Sequence, residues 1–67
     1  MTAKQRKIMA FVKRRFYPGS VETMLVEGGV RITDRRGDSM VLTMDHKGNI
    51  KNKDTGEVHY FAERKRR

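Results

Sequence analysis

Cysteine and tryptophan are both absent from this 67-residue chain. Without cysteine there are no disulfides and no thiolate zinc sites, the staples on which small secreted domains usually depend. A reducing setting is therefore expected, cytoplasmic or associated with a nucleoid. No apolar run nears the roughly 20 residues of a spanning helix. The basic N-terminal residues are not followed by the continuous apolar stretch of a signal peptide, so neither a membrane span nor export by that route is expected. Proline occurs once, at Pro18, and the first twenty positions hold no acid at all.

A chain this short forms one domain and buries only about 60% of the surface its unfolded form exposes. With 36% apolar residues, it has enough for a helix on a sheet but not for a deep enclosed pocket, which argues against an elaborate enzyme.

The formal charge of +8 is unevenly spread. Residues 1–20 carry Lys4, Arg6, Lys7, Lys13, Arg14 and Arg15, a local +6, and the last four residues, Arg64, Lys65, Arg66 and Arg67, add +4. Between them all eight acids face six bases, for a net −2. Basic ends around a near-neutral middle point to a polyanionic partner, although charge also keeps small domains soluble.

From Lys4 to Phe16 a 3.6-residue period puts Ile8, Val12 and Phe16 in one stripe flanked by Met9 and Phe11, with Arg6, Lys7, Lys13 and Arg14 on the other side. Thr2 suits the N-cap and Gln5 completes a capping box. Tyr17-Pro18-Gly19-Ser20 then ends the helix in a type II turn.

Beyond Ser20 the period becomes two. Val21–Glu27 and Val30–Asp34 predict a hairpin closed by Gly28-Gly29, which pairs Glu27 with Val30 and Leu25 with Ile32. Leu25, Val30 and Ile32 then share the face the helix covers. A three-residue Arg35-Arg36-Gly37 loop puts Met40, Leu42 and Met44 of the third strand on that face, whereas a two-residue loop would swap in Val41. His46-Lys47-Gly48-Asn49 and Asp54-Thr55-Gly56 predict two more turns, with strands at Ile50–Asn52 and Val58–Ala62. The expected fold is α+β: one N-terminal amphipathic helix packed on an antiparallel meander of four to five strands. Residues 1–63 would form the domain, and 64–67 a basic, disordered tail.

Cations that neutralise phosphates release counterions, so the helix residues Arg6, Lys7, Lys13 and Arg14 and the tail residues Arg64, Lys65, Arg66 and Arg67 are the candidate contacts to DNA or RNA. The competing account is an ordinary solvated helix face. Period two also sends Tyr60 to one face and His59 and Phe61 to the other; if Tyr60 is core, Phe61 falls on the outer face beside Met24, Val26 and Arg31. That patch is the candidate protein interface, for a homodimer or a larger partner, and an adaptor or inhibitor of phage or mobile-element type is the alternative function.

Catalysis has little support. His46 and His59 lie thirteen residues apart with Asp45 adjacent to the first, and Ser20 and Ser39 flank turns where a hydroxyl bonds the backbone. No metal or cofactor is expected, and no phosphate-loop glycine spacing occurs. Arg36-Gly37-Asp38 reads as a hairpin tip rather than an adhesion motif. The expected function is a non-enzymatic nucleic-acid-binding accessory protein.

Overall fold

The computed structural model describes residues 1–62; Glu63 and the basic residues 64–67 lie outside the described residues. Helix α1 spans Ala3–Arg15 and opens with the expected capping box. The Gln5 amide donates to the Thr2 hydroxyl at 3.0 Å, and the Thr2 amide donates to Gln5 Oε1 at 2.8 Å. The helix stops at Phe16, whose extended backbone (φ −118°, ψ 148°) leads into the Tyr17–Ser20 turn. There Gly19 adopts φ 83° and the Ser20 amide bonds the Tyr17 carbonyl at 3.0 Å, as a type II turn requires.

Five antiparallel strands follow: β1 (Val21–Val26), β2 (Gly29–Asp34), β3 (Ser39–Met44), β4 (Ile50–Asn52) and β5 (Val58–Tyr60). Their order in the sheet is their order in the chain, so the meander is as expected. The helix lies across β2 and β3. Ile8, Phe11 and Val12 meet Val30, Ile32, Leu42 and Ile50 in the core, with Met9, Phe16, Val21, Met40 and Met44 around it. Among the described residues no helix is long and apolar enough to cross a membrane.

The β1–β2 register departs from expectation. The two-residue loop is Glu27-Gly28, not Gly28-Gly29, so Leu25 faces Val30, Thr23 faces Ile32 and Met24 faces Arg31. Gly28 takes φ 77° and supplies the positive φ of the turn. Gly29 is needed inside β2, where a Cβ would run into the Leu42 carbonyl oxygen. Two glycines stand together because they answer two different demands. A slip of two residues leaves every side chain on its expected face. Leu25 nevertheless escapes cover: the helix lies across β2 and β3, β1 is the edge strand beside them, and Leu25 stays 46% exposed.

The second hairpin forms as expected, with Gly37 at φ 93° and Met40 and Leu42 on the core face opposite Ile32 and Val30. The last strand ends at Tyr60 rather than Ala62. A bulge at Ile50/Lys51 lets Tyr60 pair with Ile50 on the core face, where its ring tilts against Phe11 at 5.9 Å between centroids.

Candidate nucleic-acid interface

Three of the hairpin connections use the same local chemistry. Asp34 Oδ1 accepts the amides of Arg36 (2.9 Å) and Asp38 (3.0 Å), and Asp45 Oδ1 accepts those of Lys47 (3.0 Å) and Asn49 (2.9 Å). Asn52 Oδ1 receives Asp54 and Thr55 in the same way. An acceptor two residues before the tip fixes the loop backbone without help from the core. The residues carried at the tips are therefore held in place, and in the β3–β4 turn those are His46 and Lys47.

Desolvation acts to raise the Asp45 pKa. It is outweighed by hydrogen bonds from the Asn49 backbone and side chain and from the Lys47 backbone, with Lys51 adding its positive charge, so the carboxyl sits below its ordinary value. The carboxylate is engaged in holding its own turn.

Consecutive hairpin turns sit at opposite ends of a meander, and the β3–β4 turn shares its end with the helix N-terminus. Lys4 and Lys7 line one hollow with His46 and Lys47. Lys7 and Lys47 continue into an open cleft of ≈ 390 Å³ whose wall also carries Phe11, Arg14 and Tyr60. A groove thus runs between α1 and the β3–β4 turn, with Lys4, Lys7 and Arg14 along one wall and Lys47 on the other. Its floor is apolar, from Met44 and Ile50. The chain itself closes one side: the Ala62 amide bonds Asn49 Oδ1 at 2.8 Å, and a Cβ on Gly48 would touch the Ala62 methyl.

Only half of the four helix cations named from the sequence enter this groove. Arg6 and Lys13 lie about 100° round the helix from Lys7 and Arg14, and Lys13 borders a separate, mostly apolar hollow with Met9, Phe16 and Val21. Lys4 and Lys47 were not among the expected contacts. Lys4 is legible as the residue one turn before Lys7. Lys47 needs the fold, because its proximity to the helix follows from the meander. Arg64, Lys65, Arg66 and Arg67 lie outside the described residues, and the sequence runs into them from Ala62.

No protein-family model, curated protein or solved structure matches this chain. Function has to come from the chemistry of its own surfaces.

The outer-face patch does not gather as expected. Met24 (58% exposed) and Arg31 pair across β1 and β2, with Val26 half-buried beside them. Phe61, 57% exposed, follows β5 at the other edge, four strand spacings or roughly 19 Å away. His46 is exposed on its turn, while His59 in β5 keeps a buried Nε2 without a hydrogen-bond partner among the described residues. Ser20 Oγ is spent on the Tyr17 carbonyl at 2.7 Å. Among the described residues no three His, Cys, Asp or Glu side chains gather as metal ligands would.

Proposed function

We propose that this domain is a non-enzymatic nucleic-acid-binding accessory protein whose groove between α1 and the β3–β4 turn takes the phosphate backbone. The observation that carries the reading is the convergence of Lys4, Lys7, Arg14 and Lys47 from two separate elements on one groove, beside the point where the chain leads to Arg-Lys-Arg-Arg. Among the described residues the ion pairs are those of Arg36 with Asp34 and Asp38, at 3.7 and 3.8 Å on the β2–β3 tip, away from the groove. A row of cations whose bordering carboxylate among the described residues, Asp45, is tied into its own turn favours a polyanion over a zwitterionic surface. Burial of Ile8 and Val12 in the core speaks against a membrane surface as the partner, since the helix has no apolar stripe left for a bilayer.

Titration of labelled DNA and RNA oligonucleotides across salt tests this. Affinity should fall steeply with salt, and replacing Lys7, Arg14 and Lys47 together by Gln should flatten the logarithmic slope by about 2 to 3. The Arg6→Gln, Lys13→Gln variant should change it less. No binding at low salt, or a flat salt response, overturns the reading.

A further inference from the structure

Natural sheets guard their edges with lysines, prolines, bulges or very short strands. The β5 edge follows this rule, being three residues long with a bulge in its pairing. The β1 edge does not: six residues, no proline, no lysine or arginine, and regular pairing throughout. In a chain with sixteen Lys and Arg, residues 16–30 contain none, and the charges there are Glu22 and Glu27. Leu25 and Met24 are 46% and 58% exposed on this strand.

The hairpin decides which backbone groups are free. Val26 and Gly29 flank a two-residue loop and so form its hydrogen-bonded pair, which turns the amides and carbonyls of Val26, Met24 and Glu22 toward β2. Those of Val21, Thr23 and Leu25 point outward. A second strand has to match this phase.

We propose that two copies of this chain pair antiparallel through β1 about a two-fold axis at Thr23, forming a continuous ten-stranded sheet. In this register Val21 of one copy meets Leu25 of the other, which covers the exposed leucine and extends the apolar face. Glu22 falls opposite the second copy's Met24. The Arg31 guanidinium already reaches over Met24, with Nη1 3.9 Å from its sulfur, and so lies in the row that Glu22 enters. The symmetry supplies this charge pair twice. Moving the axis to Glu22 would set two carboxylates face to face, and moving it to Met24 would put Leu25 against threonine and Glu22 against Val26.

Sedimentation equilibrium of the full chain, free of nucleic acid and at physiological ionic strength, tests the pairing separately from the groove. The expected mass is twice 7.8 kDa. Leu25→Lys should halve it, as should Thr23→Lys if the first variant fails to fold by circular dichroism. Glu22→Arg and Arg31→Glu should each give monomers, and the two together should recover the doubled mass. A wild-type monomer up to millimolar concentration, a dimer indifferent to these variants, or a combined swap that stays monomeric overturns the proposal.

Discussion

At position 5 a buried amide joins the helix to the sheet. Gln5 Oε1 closes the capping box, while Nε2 donates to the Val26 carbonyl at 2.8 Å and the Gly29 carbonyl at 3.1 Å, on either side of the β1–β2 turn. Gln5→Ala should cost about 1–3 kcal/mol, because two carbonyls and an amide lose their partner where water enters poorly. Gln5→Glu should cost more at neutral pH, since a carboxylate turned toward two carbonyls donates nothing. Urea unfolding of the two variants checks the order, and a glutamate as stable as wild type would refute it. Asp45 gives a test of opposite character. Its pKa is depressed in the fold, so the stability it adds is fully present above the unfolded value of about 3.9 and is lost as pH falls through the lower folded value. Asp45→Asn keeps an acceptor but no charge. Wild type should exceed it in stability at neutral pH, and the gap should close as pH falls from the unfolded value through the lower folded one.

Among the elements, the β1–β2 hairpin separates what local pattern specifies from what tertiary approach specifies. Gly29→Ala should destabilise by about 1–3 kcal/mol or more, because its methyl meets the Leu42 carbonyl and relief would have to break the β2–β3 ladder. Gly28→Ala meets no neighbour. It costs about 1–2 kcal/mol for its positive φ, of which about 0.4–1 kcal/mol returns through the stiffer unfolded chain. Thermal melts that rank Gly28→Ala as the more damaging would contradict the assigned register. Period two and the glycines made the strands and faces legible from sequence, but the role of each glycine depended on how closely β3 approaches. The helix was readable to within one residue at each end because its cap is local, from Thr2 to Gln5. The groove was half legible: Lys7 and Arg14 stood out as cations, while Lys47 joins them only because the β3–β4 turn and the helix N-terminus share an end of the sheet. The outer patch failed for the same reason in reverse, since Phe61 and Met24 belong to opposite edges.

For the molecule as a whole, a net charge of +8 on 67 residues makes salt act in opposite senses on folding and on binding. A domain this small has little stability to spare. Drawing Lys4, Lys7, Arg14 and Lys47 to one groove opposes the compact state, and the repulsion is screened over about 8–10 Å at ordinary ionic strength. Added salt should therefore raise the melting temperature of the free domain while it weakens the hold on nucleic acid. Replacing Lys7, Arg14 and Lys47 by Gln should stabilise the free domain at low salt by a few tenths of a kcal/mol per relieved pair, the scale of exposed charge interactions. The same variant should lose most of its salt-dependent stabilisation. Replacing Arg64, Lys65, Arg66 and Arg67 by Gln instead should flatten the binding slope by up to about 3 to 4. Melts and titrations on the same four proteins (wild type, groove variant, tail variant and both combined) separate the two roles. If the groove variant melts no higher than wild type at low salt, the cations are not crowded enough to repel, and the groove loses its claim to be a built site.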